Sequence, residues 1–163
     1  IKRAAEFSTY YLFGHSVGGG MSIGIAAIDK DCIGVITESA QAFVEDLTIK
    51  GIKEAQVLFK RPEQMARLEK WHGNKASWVL NAWIDTWLSP EYSSWSLESR
   101  ISQVTCPVLA LHGDKDDFGS NAFPEYIASN VSGESSMVII ENCGHVPHKE
   151  KMDEIINHTR LFL

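Results

Sequence analysis

The stretch Thr9-Tyr10-Tyr11-Leu12-Phe13-Gly14-His15-Ser16-Val17-Gly18-Gly19 decides how this chain folds, because its character changes twice in a few residues. Thr9 to Phe13 is a β-branched and aromatic run of strand length, which Gly14 ends. From Val17 to about Ile28 the residues are small or apolar (Gly18, Gly19, Gly20, Met21, Ile23, Ile25, Ala26, Ala27), which suits a helix packed closely under a sheet. Between the two lies a G-x-S-x-G pattern. A nucleophile held on a strained strand-to-helix turn leaves little room beside it, which explains glycine two positions before Ser16 and two after, at Gly14 and Gly18. Such a turn also sets Ser16 at a helix N-terminus, where the backbone N–H of Val17 can donate to an oxyanion.

A serine hydroxyl is a weak nucleophile at neutral pH and needs a positioned base, itself oriented by a carboxylate. Working outward from Ser16, these partners are expected downstream, acid before histidine, on loops after later strands. Cys32 to Thr37 reads as a second buried strand, so strand, helix and strand follow in the rhythm of a parallel sheet. Pro107 to His112 and Ser136 to Ile140 read as two more. The first of these runs into Gly113-Asp114-Lys115-Asp116-Asp117, and the second into Asn142-Cys143-Gly144-His145-Val146-Pro147-His148. A helix is expected near residues 120–130 and another over 148–162. Residues 1–7 read as the end of a helix. Between the second and third strands, residues 43–89 show helical periodicity, with candidate helices at 43–58, 62–72 (Pro62 in the first turn) and 75–88. In the last, Leu80, Trp83, Ile84, Trp87 and Leu88 form one apolar face.

Taken together, G-H-S-V-G-G, L-H-G-D-K-D-D and C-G-H-V-P-H-K-E resemble the motifs of α/β-hydrolase-fold serine hydrolases carrying a helical cap, and the resemblance extends along the whole chain. It implies an α/β fold with a mostly parallel sheet flanked by helices. Core segments at 1–40 and 101–163 would enclose a helical cap at 41–100. In the family's pattern the acid stands three residues after the glycine that ends its strand, which selects Asp116, with Asp114 and Asp117 as alternatives. His145 is the base by the same pattern. His15 and His112 are read as packing residues, and His72, His148 and His158 as solvated helix or turn residues. Four tryptophans, Trp71, Trp78, Trp83 and Trp87, fall within the candidate helices of the cap, and Trp95 follows them. Trp83, Trp87, Phe43 and Val146 are candidates for an apolar acyl pocket, against the alternative that they pack the helices together.

The segment Ser39–Asp46 resembles valacyclovir-hydrolase-like enzymes, which carry an acidic residue directly after the nucleophile to hold a substrate amino group. Val17 occupies that place here. It argues against α-amino-acid esters and for an uncharged acyl group. The reading is of a small-molecule ester or thioester hydrolase working through an acyl-enzyme. Carbon–carbon bond hydrolases and perhydrolases of the same fold share the triad, and a ligand-binding signalling protein could retain it. Dehalogenases and epoxide hydrolases use a carboxylate nucleophile, so Ser16 argues against both.

Bulk properties narrow the field further. The 163 residues are 44% hydrophobic and 22% charged, as expected of a globular chain with a real core. A net charge of -6 with scattered acidic residues argues against nucleic acid as a partner. No run of 18 apolar residues suggests a membrane span, and Ile1–Glu6 lacks the apolar centre of a signal peptide. Cys32, Cys106 and Cys143 are odd in number and irregularly spaced, which fits a reducing, cytoplasmic setting better than a disulfide framework. Six histidines without an i,i+4 pair and without an evident carboxylate cluster argue against a catalytic metal, and no cofactor is called for. The chain begins with Ile and has only some thirteen residues before the motif. Further strands, and the second oxyanion donor usually contributed by an earlier loop, are therefore expected in an N-terminal part of the same protein, without which these residues should neither fold nor catalyse.

Overall fold

The structure, a computed structural model, describes residues 7–163, so the helix end expected over residues 1–7 lies almost wholly outside the described residues. Four strands, β1 (Tyr10–His15), β2 (Cys32–Glu38), β3 (Val108–Gly113) and β4 (Ser135–Ile140), form one parallel sheet in the order β1-β2-β3-β4. Because each connection returns the chain to the same end of the sheet, the loops after all four strands gather at one edge. In open α/β sheets that edge is where ligands bind.

Burial follows position in the sheet. β3 is buried at every residue and β2 at all but Ile33, as central parallel strands covered on both faces must be. β1 has a partner on one side among the described residues and alternates, with Tyr11 and Phe13 exposed. β2, β3 and β4 pack Ile36, Leu109, Leu111 and Ile140 against Cys143 and Ile155, with Val138 and Phe162 alongside. Ile155 and Phe162 come from α8 (Met152–Phe162), which is separated from the single turn α7 (Pro147–Glu150) by the non-helical backbone of Lys151. The one helix expected over 148–162 is therefore two.

α1 (Val17–Ile28) follows β1 directly and turns Gly19, Gly20, Ser22, Ile23, Ala26 and Ala27 inward. Its small residues allow the close approach to the sheet that the sequence implies. Ser22 Oγ donates to the carbonyl of Gly18 at 2.8 Å. α5 (Glu98–Ile101) and α6 (Ala122–Asn130) complete this compact unit, which comprises the chain up to Phe43 together with Ser96–Leu163.

The second compact unit, Val44–Trp95, contains α2 (Asp46–Leu58), α3 (Pro62–His72) and α4 (Ala76–Leu88), with short 3-10 turns at Gly73–Lys75 and Pro90–Tyr92. α2 begins later than the periodicity suggests because Phe43 instead forms an isolated antiparallel bridge with Ser96. α4 packs against both α2 and α3, and buries Ile84 and Trp87 from its expected apolar face, while Leu80, Trp83 and Leu88 are half-buried. Trp87 meets Tyr92 and Trp95 edge-on at 5.3 and 5.8 Å, and those two rings stack on each other. Trp71 and Trp78 are exposed.

Candidate active site

Ser16 joins β1 to α1 with φ 54° and ψ -125°, a backbone conformation that an L-residue rarely adopts. The turn is held from both sides. Ser16 N donates to Glu38 O at 2.8 Å, and Gly19 N donates to Ser16 O at 2.9 Å. A Cβ at Gly14 would lie 2.2 Å from Gly18 O and 2.5 Å from Ser22 Oγ, so glycine is obligatory there. The expectation for Gly18 is corrected: a Cβ there meets nothing within 4 Å. The crowded position is Gly19, whose added Cβ would lie 2.4 Å from Ala40 Cβ. Spacing from Ser16 does not reveal this, because Ala40 arrives from the loop after β2.

His145 lies in the loop between β4 and α7. Its Nδ1–H donates to Asp116, with Oδ1 and Oδ2 at 2.9 and 2.8 Å, and its Nε2 lies 3.0 Å from Ser16 Oγ. With Nδ1 committed to the carboxylate, Nε2 carries the lone pair that can accept the Ser16 proton. Asp116 has a side chain only 1% exposed and also accepts the amide of Phe118 at 2.7 Å. The other two acids do different work. Asp114 accepts from Cys143 N at 3.1 Å, a bond that holds its carboxyl below the usual range and ties the acid loop to the histidine loop. Asp117 is exposed.

The histidine loop has anchors that the sequence reading missed. Glu150 reaches back from α7 and accepts from Gly144 N at 2.8 Å and Val146 N at 3.2 Å, on either side of His145. Asn142, at φ 51°, turns the chain into the loop. The Nε2–H of His15 donates to the carbonyl of His145 at 2.7 Å. His15 is thus more than packing, and burial lowers its basicity below that of an ordinary imidazole. Phe118 lies against the His145 ring at 4.8 Å between centroids. Gln41 is buried, with its amide nitrogen 3.4 Å from Ser16 Oγ, long for a hydrogen bond.

Val17 is the first residue of α1, so its N–H has no acceptor within the helix and is available at the turn. Among the proposed pocket residues, Phe43 is half-buried against Phe123 and Tyr126, with centroids 4.9 and 5.6 Å away, and Val146 is half-buried beside His145. Trp83 and Trp87 belong to the helical unit, in which Trp87 packs against the aromatic residues described above.

The reading of His148 as a solvated residue is corrected. Its Nδ1 lies 2.6 Å from Oε2 of the fully buried Glu38, and His15 stands alongside. The sequence showed no carboxylate near the histidines because Glu38 precedes His148 by 110 positions. His112, buried at the end of β3, lies 2.9 Å from Gly119 O and 3.7 Å from Asp116.

Residues 4–158 match the model of the alpha/beta hydrolase family, and the chain belongs to that family. Among solved structures, it is 22% identical to a membrane phospholipase A described as a bacterial virulence factor, at a TM-score of 0.78, covering 99% of this chain and 58% of that one. An alpha/beta fold family hydrolase from Bacillus anthracis str. Sterne gives 17% identity and a TM-score of 0.74, over 100% of this chain and 70% of that one. The meta-cleavage product hydrolase of Pseudomonas fluorescens IP01 gives 17% and 0.69, over 99% and 67%. The chain therefore spans roughly three fifths to seven tenths of the length of these structures. No curated protein matches, and the likeness of Ser39–Asp46 to valacyclovir-hydrolase-like enzymes gains no support from these matches. Among the described residues, no helix is long and apolar enough to cross a membrane.

Proposed function

We propose that this chain carries the reacting groups of a serine hydrolase that cleaves a small carboxylic ester or thioester. The observation that carries the reading is the continuous relay from Ser16 Oγ through His145 to the buried Asp116 carboxylate, on the elbow of an alpha/beta hydrolase. Ser16 attacks the carbonyl carbon as His145 Nε2 takes its proton, and Asp116 stabilises the resulting imidazolium. The tetrahedral oxyanion accepts from Val17 N–H. Its collapse leaves an acyl-enzyme and expels the alcohol or thiol, which recovers the proton from His145. Water activated by the same histidine then releases the acid.

Val17 favours an uncharged acyl group, for which Phe43 and Val146 of the sheet-bearing unit are the candidate contacts. Three free cysteines, two of them buried, favour a reducing, cytoplasmic setting. The test is pre-steady-state hydrolysis of p-nitrophenyl esters by the full-length protein. A burst of one p-nitrophenol per protein before steady turnover is expected. Ester turnover without a burst, unchanged in Ser16→Ala, would refute the acyl-enzyme route.

A further inference from the structure

Three side chains that this reaction leaves unused meet beside the histidine loop. His15 closes β1, Glu38 closes β2, and His148 stands in α7. One ligand atom from each lies within 4.8 Å of the other two, and the His15 and His148 rings are 5.1 Å apart and nearly perpendicular. Glu38 is wholly excluded from solvent, yet Oε1 has no hydrogen-bond partner among the described residues, and Oε2 receives only His148. A buried carboxylate with half its acceptor capacity unused is expensive unless a cation neutralises it.

We propose that His15, Glu38 and His148 form a binding site for one divalent transition-metal ion of the zinc type, adjacent to the Ser16–His145–Asp116 relay and separate from it. Two imidazoles and one carboxylate form a donor set that suits zinc and similar ions, whereas magnesium and calcium prefer oxygen alone. His15 already has the protonation that ligation needs, and at His148 the metal would displace the Nδ1 proton now donated to Glu38. The carbonyl of His145 can only accept, so His15 must carry its proton on Nε2, leaving the Nδ1 lone pair for a metal. Ligating histidines are commonly oriented in this way, by donating their other N–H to a backbone carbonyl. In a tetrahedral site with bonds of about 2.0–2.2 Å, ligand atoms stand about 3.3–3.5 Å apart. The widest pair, at most 4.8 Å apart, must therefore close by at most about 1.5 Å, while His148 Nδ1 and Glu38 Oε2, now 2.6 Å apart, must separate by roughly 0.7–0.9 Å to admit the ion. The His148 side chain, 39% exposed, has the freedom to do so by rotating, while Glu38 is fixed.

The inference does not depend on the hydrolase reading, and its test is a binding measurement. The full-length protein is stripped with a chelator, dialysed against zinc chloride and assayed for bound metal by elemental analysis, with melting curves recorded for every variant. One zinc per chain is expected, undiminished by excess magnesium. Glu38→Gln and His148→Gln should each bind at least about tenfold more weakly, since altering even the groups that merely support a ligand costs that much. His145→Ala, which keeps the backbone carbonyl that orients His15, should retain the metal. Absence of stoichiometric zinc would overturn the proposal and leave Glu38 and His148 as a simple ion pair. Loss of zinc in His145→Ala but not in His148→Gln would also overturn it, placing the metal on the relay. Should Glu38→Gln fail to fold, His148→Gln at the half-exposed position decides.

Discussion

Gly18 and Gly19 are neighbours in one glycine-rich turn, yet alanine at the two positions should have opposite effects. At Gly18 an added methyl meets nothing within 4 Å, and the backbone is not in the left-handed region. Alanine there limits the unfolded chain and suits the first turn of α1, which should stabilise by about 0.4–1 kcal/mol. At Gly19 the same methyl would approach Ala40 Cβ to 2.4 Å and Gly14 O to 3.0 Å. Ala40 has no flexible end to swing away, so the loop after β2 or the start of α1 must move. Overpacking of this kind costs about 1–3 kcal/mol. The two variants should therefore differ by about 1.4–4 kcal/mol, read as the separation of urea midpoints multiplied by a common m-value. Gly18→Ala should keep ester turnover within about twofold, because the φ of Ser16 and the bond from Gly19 N are undisturbed, whereas Gly19→Ala should lose at least about tenfold through displacement of the nucleophile. A Gly18→Ala variant as unstable and inactive as Gly19→Ala would refute the assignment of crowding to position 19.

Three further outcomes are expected. Asp116→Asn should lower kcat by about 10^4-fold by disfavouring the required tautomer of His145, whereas Asp114→Asn, which keeps an acceptor for Cys143 N, should lose less than about tenfold; equal losses in steady-state kinetics would remove Asp116 from its role. Glu150→Ala should reduce kcat/KM by about 10- to 100-fold through misplacement of His145, with the melting temperature almost unchanged because Glu150 is exposed; unaltered kinetics would show that the loop is held without it. His15 takes up a proton less readily in the fold than in the unfolded chain, so stability should be full above the ordinary imidazole value of about 6.5 and decline as the pH falls through it. His145, Glu38 and His148 also face His15, so the quantity to measure is the difference in slope of stability against pH between wild type and His15→Gln, and identical slopes would contradict the shift.

Much of the fold is legible in the sequence because its signals are local. β1, Gly14 and the small-residue face of α1 adjoin one another, and the acidic and histidine motifs each follow a recognisable strand. Element ends were less legible. β1 continues through Gly14 to His15 because that ladder pairs with Thr37 and Glu38, an interaction no local pattern encodes. The same limit explains Gly19, crowded by Ala40, and Gln41, brought to Ser16 from beyond β2. Glu38 and His148 each look unremarkable in their own segments, and only the parallel sheet, by gathering the strand ends, makes them a pair. Glu150 lies within the motif C-G-H-V-P-H-K-E, but its role depends on α7 stopping at Lys151 rather than running on into α8.

The central claim is that Ser16 is the nucleophile, and a fluorophosphonate probe tests it most directly. Labelling of the full-length protein followed by peptide mass spectrometry should place one probe per chain on Ser16, with labelling abolished in Ser16→Ala and strongly slowed in His145→Ala. A probe attached to another residue, or labelling that persists undiminished in Ser16→Ala, would contradict the account.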